Sequence, residues 1–166
     1  MNVTVHRTVE ADWERVRDIR LEMLADTPLA YLETLETALE HDEAEWRSRA
    51  ARGSAPHNTR FVAVDESGQW VGAMGGMVSR EGEPTLIGVY VAPHARGDAA
   101  GVADALLSAV EDWARAEGGE HLLLFVHEDN ARARAAYERR GFSYTGTTEP
   151  YSLDPSALEL GMSRPL

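Results

Sequence analysis

The sequence contains no cysteine and no lysine, and each absence removes a class of chemistry. Without cysteine the chain has no disulfide bonds, no thiolate metal ligands and no thiol nucleophile. Without lysine, a Schiff-base mechanism and the lysine of a P-loop nucleotide site are excluded. The six histidines are scattered along the chain, and no pair has the spacing of metal ligands, so we predict no metal site.

Long apolar runs and positive charge are also scarce. The longest apolar run, residues 122–126, is far too short to cross a bilayer, and residues 1–10 lack the pattern of a signal peptide, so we expect a cytoplasmic protein with no membrane partner. The formal net charge of −12 argues against a nucleic-acid partner, because such binding needs clustered positive charge. An acidic surface instead attracts cationic amines, such as polyamines, aminoglycosides or basic peptides.

The 166 residues, of which 43% are hydrophobic, predict a single domain over residues 1–166 with a substantial core. Apolar periodicity predicts seven strands and four helices, with residues 26–40 ambiguous between a loop and a short helix. The predicted strands are Asn2–Arg7, Arg60–Val64, Gln69–Met77, Thr85–Val91, His121–Val126, Phe142–Gly146 and Leu158–Arg164. The predicted helices are Asp12–Ala25 with Asp12 as the N-cap, His41–Arg52, Val102 to about Gly118, and Ala131–Arg140. A hairpin followed by a β-α-β unit makes this a mixed α/β sheet with one parallel strand pair.

Residues 89–107 have the pattern of an anion-binding turn between a strand and a helix. Val89-Tyr90-Val91-Ala92-Pro93 is followed by Arg96-Gly97, and then by Gly101-Val102-Ala103 at the start of the helix. The unpaired N–H groups of a helix N-terminus point toward bound phosphate, and small residues let the backbone approach it closely. The same pattern also fits a strand-to-helix turn that binds no ligand.

A second run, from Asn130 to Phe142, reads Asn-Ala-Arg-Ala-Arg-Ala-Ala-Tyr-Glu-Arg-Arg-Gly-Phe. Asn130 can cap a helix, and Tyr137 lies on the same helical face as Ala133. Gly141 suits a left-handed helix end. Taken alone, this run also fits a capped amphipathic helix that carries a core tyrosine.

In this order and spacing, the two runs together resemble the GNAT superfamily of acetyl-CoA-dependent N-acetyltransferases. The signature Asn-x-x-Ala-x-x-x-Tyr-x-x-x-Gly-Phe is matched in full from Asn130 to Phe142. Arg20-Leu21, Pro28–Tyr31 and Trp46 look like one branch of the superfamily, so the resemblance covers nearly the whole chain. It implies a mixed, mostly antiparallel twisted sheet of six to seven strands, about four flanking helices, and a parallel central strand pair that splays apart.

The glycine loop departs from the family pattern because it is two residues longer. Aligned from the strand, Arg96 keeps its usual place and Asp98-Ala99 form a bulge. Aligned from the helix, Asp98 takes the position that the family gives to arginine or glutamine. We favour the first alignment, because an anion site needs arginine turned inward and aspartate turned to solvent.

The resemblance implies that acetyl-CoA, as co-substrate, lies in the gap between the splayed strands. Its pantetheine arm pairs with the backbone of Val89 and Val91, and the N–H of Val91 polarises the thioester carbonyl. Tyr137 acts as the general acid on the departing thiolate. The cofactor-binding residues implied are Val89, Val91, Arg96, Gly97, Gly101, Val102, Ala103, Asn130, Ala133 and Tyr137.

The expected acceptor is a primary amine of a small molecule or peptide, which attacks the thioester directly in a ternary complex. The acidic charge favours a cationic amine, and an arylamine or the α-amine of an amino acid stays open. Tyr31 and Tyr90 are candidates for the acceptor pocket, and a core role fits each equally well. Many relatives carry a glutamate as general base where this chain has Thr85. The alternatives for the base are Glu83, His127 and Glu128.

Three questions stay open at this stage. One of the arginines 132, 134, 139 and 140 could meet the 3′-phosphate of CoA, or all four could form a solvated face. Dimers are common in the superfamily, so a homodimer is one expectation. The alternative to an enzyme is a non-catalytic acyl-CoA-binding or regulatory module, whereas a Rossmann or P-loop protein is disfavoured because neither glycine motif is present.

Overall fold

The computed structural model describes residues 1–97 and 101–166, and in it seven strands form one sheet in the order β1-β2-β3-β4-β5-β7-β6. The strands are β1 (Val3–Arg7), β2 (Asn58–Asp65), β3 (Trp70–Val78), β4 (Pro84–Val91), β5 (His121–His127), β6 (Ser143–Tyr151) and β7 (Asp154–Pro165). The helices are α1 (Trp13–Asp26), α2 (Leu35–Leu39), α3 (Glu43–Arg52), α4 (Val102–Ala116) and α5 (Ala131–Arg139). The predicted α/β class and sheet are confirmed, and the ambiguous segment contributes the fifth helix, α2.

Helix α1 forms because apolar residues recur at helical spacing, and it buries Val16, Ile19, Met23 and Leu24 against the sheet. Asp12 stands at its N-cap position, as predicted, but its carboxylate does not cap α1. It accepts instead from the N–H of Val9, 2.9 Å away, and so closes the preceding 3-10 turn.

The other face of the sheet is covered by α4, which packs closely because glycines lie beneath it. A Cβ built on Gly76 would come within 2.4 Å of the Trp113 ring, and one built on Gly72 would lie 3.1 Å from Val102 Cγ1. The absence of side chains on β3 therefore sets the distance between the helix and the sheet.

The parallel pair β4–β5 separates after a single paired position. Thr85 is opposite Leu123, and no further register pair joins the two strands, whereas β5 pairs with β7 along all of its residues from His121 to His127. The carboxyl ends of β4 and β5 therefore diverge and open a gap in the middle of the sheet. The sequence predicted the parallel pair, and its splaying is the one that the resemblance to the GNAT superfamily implied.

Strands β6 and β7 are longer than predicted, and only two residues separate them. Gly146, with a φ of 85°, lies where the register of the pair shifts between Tyr144 and Thr148, and Pro150 lies at a second shift. Both residues are typical of turns, so the sequence pattern predicted that β6 ends at Gly146. In the structure they are irregularities within the ladder of β6 and β7.

The described residues contain neither a helix of membrane-spanning length nor a candidate metal cluster. Within residues 1–97 and 101–166, no helix has the length and apolarity needed to cross a membrane. No group of three or more histidine, aspartate or glutamate side chains is placed to hold a metal ion in that part of the chain.

Candidate active site

A cavity of about 960 Å³ occupies the gap between β4 and β5 and extends toward α1 and α3. Most of the residues expected at the cofactor or the acceptor line it: Tyr31, Val89, Tyr90, Val91, Arg96, Gly97, Ala103, Asn130, Ala133 and Tyr137. Gly101 and Val102 do not line it. The side chain of Val102 is buried in the core near Gly72, so only its backbone is available to a ligand.

A β-bulge in β4 turns the strand at the cavity. Tyr90 is paired with Ala73 and Ile87 with Gly75, so Gly88 and Val89 together are opposite a single residue of β3. Gly88 adopts a φ of 58°, which explains why glycine is found at this position.

The backbone of Val89 and Val91 faces the gap. Ala92 donates its N–H to Val71 on β3, 2.9 Å away, and alternation along the strand turns Val91 the other way. Strand β5 does not pair with either residue, because its only partner on β4 is Thr85. The N–H groups of Val89 and Val91 are therefore available to a ligand, as the predicted pantetheine contacts require.

The carbonyl oxygens of these two residues already accept hydrogen bonds from side chains. The hydroxyl of Tyr31 donates to the Val89 oxygen over 2.7 Å, and Arg96 Nε donates to the Val91 oxygen over 2.8 Å. Each carbonyl keeps a second lone pair, so a pantetheine amide can still pair there.

Arg96 is not a free cation at the loop. Its guanidinium also forms an ion pair with Asp26. Burial raises the pKa of this carboxyl, but the hydrogen bonds from Thr27 and Arg96 outweigh burial and leave it below its usual value. We therefore expect the backbone N–H groups at the start of α4 to bind pyrophosphate. The expected bulge at Asp98-Ala99 lies outside the described residues.

The run from Asn130 forms α5 with the geometry expected of it. Asn130 Oδ1 accepts from the N–H of Ala133 at 3.2 Å and caps the helix. Tyr137 lies one turn further on, with its ring edge against Phe142 at a centroid distance of 5.7 Å. Its hydroxyl has no hydrogen-bond partner among the described residues. Burial raises the pKa of Tyr137, so the hydroxyl is a protonated donor at the cavity wall.

Tyr31 and Tyr90 are both in the cavity wall and in the core. They are 5% and 3% exposed, and the Tyr90 hydroxyl donates to Glu22 at 2.7 Å. The Tyr31 backbone oxygen in turn accepts from the Tyr151 hydroxyl at 2.8 Å. Their first role is therefore to fix the shape of the wall around Val89.

The arginines of α5 divide into two groups. Arg132, Arg139 and Arg140 line the cavity, whereas Arg134 does not and is bonded to Tyr144 and to the Glu128 carbonyl. Arg140 also forms an ion pair with Asp104, at 2.7 Å. Arg132 and Arg139 thus have the fewest protein partners, which leaves them the most available to a phosphate of CoA.

Of the four positions considered for the general base, Thr85 and His127 line the cavity. Glu83 and Glu128 do not, and Glu128 accepts from the N–H of Leu158 at 3.0 Å. His127 Nδ1 accepts from the N–H of Asp129 at 3.0 Å, so in the neutral ring the proton is on Nε2. The Nδ1 atom of His127 is therefore already occupied by a protein donor.

Two carboxylates that the sequence did not single out line the cavity beside His127. Glu159 on β7 is opposite His127 on one side and Glu149 of β6 on the other. Burial and the neighbouring Glu149 raise the pKa of Glu159 against an opposing effect of His127. The pairing became visible only with the structure, because residue 149 lay outside the strand that the pattern predicted.

A charged cluster between α1 and α3 was also missed. Glu33 accepts hydrogen bonds from Arg20 at 3.0 Å, from Arg49 at 2.9 Å and from His41 at 2.7 Å. Burial raises the pKa of Glu33, but the bonds from Arg49, His41 and Arg20 outweigh it and bring the pKa to about 2. Arg60 of β2 lines the same part of the cavity. In the sequence, the only sign of Arg60 in the cavity was its inward position on an otherwise apolar strand.

Comparisons with known proteins show the family to which the chain belongs. The model of the acetyltransferase (GNAT) family matches residues 13–142. An IAA acetyltransferase from Azospirillum brasilense is 36% identical over 113 residues, which are 68% of this chain and 71% of that protein. A streptothricin acetyltransferase from Streptomyces lavendulae is 35% identical over 58% of this chain and 50% of its own length.

Among solved structures, a phosphinothricin acetyltransferase from Sinorhizobium meliloti in complex with AcCoA has a TM-score of 0.77 with 24% identity. The match covers all of this chain and 89% of that one. At this identity the likeness concerns the fold, which in that protein holds the cofactor.

Proposed function

The chain belongs to the GNAT acetyltransferase family, and from that premise we propose that an amine attacks the thioester of acetyl-CoA within the β4–β5 gap, beside Tyr137. The enzyme is an N-acetyltransferase with acetyl-CoA as co-substrate. One observation carries the proposed site: the available N–H groups of Val89 and Val91 and a Tyr137 hydroxyl without a partner among the described residues line one cavity.

The cofactor would be held along the edge of β4. Its pantetheine arm pairs with Val89 and Val91, and its pyrophosphate binds the N–H groups of Gly97 and of residues 101–103, at the positive end of the α4 dipole. The positive φ values of Gly97 (106°) and Gly101 (67°) support this proposal, because such turns present successive N–H groups to an anion.

The thioester would be activated by the N–H of Val91. Negative charge develops on the carbonyl oxygen as the amine attacks, and a fixed backbone donor in an enclosed site stabilises that charge more than water does. Holding both reactants in one cavity contributes further through orientation.

Tyr137 would donate a hydrogen bond to the departing thiolate. A thiol has a reference pKa of about 8.5 and a phenol one of about 10, and burial raises the pKa of Tyr137 further. Complete proton transfer is therefore uphill, and stabilisation of the thiolate by a hydrogen bond is sufficient for the role.

Glu159 would be the general base. An alkylammonium must lose a proton before it attacks, and a carboxylate of raised pKa is better suited to accept it than an ordinary one. Glu159 replaces the earlier candidates because it lines the cavity and no hydrogen bond from another described residue occupies its carboxylate.

We favour a small-molecule acceptor over a peptide, because the two relatives above are named an IAA acetyltransferase and a streptothricin acetyltransferase. Titration with acetyl-CoA, followed by thiol release with a panel of amines, tests the function. Saturable binding with amine-dependent thiol release is expected. Binding without release for any amine would leave the non-catalytic acyl-CoA-binding module as the correct description.

A further inference from the structure

Arg60 is a cation within the cavity that has no hydrogen bond or ion pair with any residue in the described part of the chain. Its guanidinium reaches the bulge of β4, where a Cβ on Gly88 would lie 3.2 Å from Nη2. Burial, with the nearby Arg20, Arg52 and Arg49, lowers the pKa of Arg60 to about 10, so it is still charged at neutral pH. The side chain is only part-buried and its guanidinium has no protein partner among the described residues, so an anion that enters the cavity can reach it.

The surrounding carboxylates do not neutralise Arg60. Glu33 is already shared between Arg20 and Arg49, and Glu45 is bonded to Arg49 at 2.8 Å. Arg20, Arg49, Arg52 and Arg60 all line the cavity. This wall is therefore basic, although the whole chain carries a formal charge of −12.

The position of Arg60 separates it from the site expected for the phosphates of the cofactor. Its guanidinium lies beside Gly88, three residues before Val91, whose N–H is expected at the thioester, and so on the side of Val91 away from the phosphate loop. The phosphate loop begins at Arg96, after β4 has ended. An anion at Arg60 would therefore belong to the acceptor.

We propose that Arg60 binds a carboxylate of the acceptor, so that the substrate is an amine that also carries an acidic group, as an amino acid does. The inference rests on the proposed function and refines its acceptor class. The planar guanidinium forms two parallel hydrogen bonds with a carboxylate. Glu149 and Glu159 line the same cavity from β6 and β7, so the ammonium end of such an acceptor meets the opposite charge.

The wild-type enzyme provides the first test. Acetylation of L-leucine, L-methionine and L-phenylalanine is compared with that of their carboxamides, which lack only the charge. The less basic amine of each carboxamide is deprotonated more readily, so without a carboxylate site the amides react faster. We expect the amino acids to have a kcat/KM at least about 10-fold higher, as loss of a charged hydrogen bond predicts.

Variants of Arg60 provide the second test. Arg60→Gln should lower kcat/KM for the amino acids about 10- to 100-fold, mainly through KM, and leave the carboxamides and the Kd of acetyl-CoA unchanged. Arg60→Lys, which keeps the charge without the planar fork, should recover part of the loss. Arg80→Gln is the matched control, because it removes the same charge from an exposed position outside the cavity.

Two results would overturn the inference while leaving the enzyme intact: equal or better use of the carboxamides by the wild-type protein, or an equal loss for both substrate classes in Arg60→Gln. If acetyl-CoA binds and no amine of either class is acetylated, the proposed function fails and this inference with it. The wild-type comparison decides the matter even if the Arg60 variants do not fold.

Discussion

At the scale of single residues, the proposed site is defined by polar atoms that lack protein partners. The Tyr137 hydroxyl has no partner among the described residues, whereas the hydroxyls of Tyr31, Tyr90 and Tyr151 donate to protein oxygens. In an enclosed cavity a free donor of this kind is available to a ligand. The sequence singled out Tyr137 by resemblance alone, and the structure adds a physical reason.

Tyr137→Phe should lower kcat about 10- to 100-fold, because a hydrogen bond made only as the thiolate departs is lost, and should change the Kd of acetyl-CoA less than about 3-fold. Thiol-release kinetics and calorimetric titration measure the two quantities. Tyr144→Phe is the control, since that hydroxyl is bonded to Glu138 at 2.7 Å on an exposed strand. Unchanged turnover in Tyr137→Phe would remove the residue from the mechanism.

As the proposed base, Glu159 should set a pH limit on activity. A base must be deprotonated, so kcat/KM falls as the pH drops through its pKa, and the raised pKa places this acid limb above the usual value for glutamate. Glu149→Gln should shift the limb to lower pH because it removes the like charge that raises the pKa. Glu159→Gln should lower kcat/KM about 100-fold and abolish the limb. A limb at the same pH in all three proteins would assign the base elsewhere.

At the scale of elements, most boundaries could be predicted and the errors have specific causes. Helices α1, α3, α4 and α5 begin and end within about two residues of the prediction, because apolar spacing and capping residues determine them locally. The ends of β6 and β7 could not be predicted, since pairing with a neighbouring strand compensates for Gly146 and Pro150. The carboxylate pair and Arg60 depend on such long-range pairing, so the sequence did not reveal them.

The Glu33 cluster joins α1, α3 and the segment between them, and its effect on stability depends on pH. The folded-state pKa of about 2 lies below the unfolded value, so the stabilisation is present above about pH 4.5 and is lost as the pH falls toward 2. Glu33→Gln should lower the free energy of unfolding by about 2 kcal/mol at pH 7 and by much less near pH 2.

Urea unfolding at several pH values measures this dependence. Glu43→Gln is the control, because its pair with Arg47 is exposed and such pairs contribute little. An equal loss of stability at pH 7 and near pH 2 would mean that the charge of Glu33 is not responsible.

At the scale of the whole molecule, net charge and site charge have opposite implications. The acidic chain led to the expectation of a cationic amine, yet four arginines line one wall of the cavity. Net charge governs long-range attraction and solubility, whereas a cavity selects its ligand by the few groups that face it. Composition therefore indicates the net charge of the molecule and not the charge of the cavity wall.

The central claim is that acetyl-CoA lies in the gap between β4 and β5 with its thioester beside Tyr137. A crystal structure of the complex with acetyl-CoA tests it most directly. We expect the sulfur to lie within hydrogen-bond reach of the Tyr137 hydroxyl and the thioester oxygen to face the N–H of Val91. Pantetheine bound outside the gap, or a Tyr137 hydroxyl turned away from the sulfur, would contradict it.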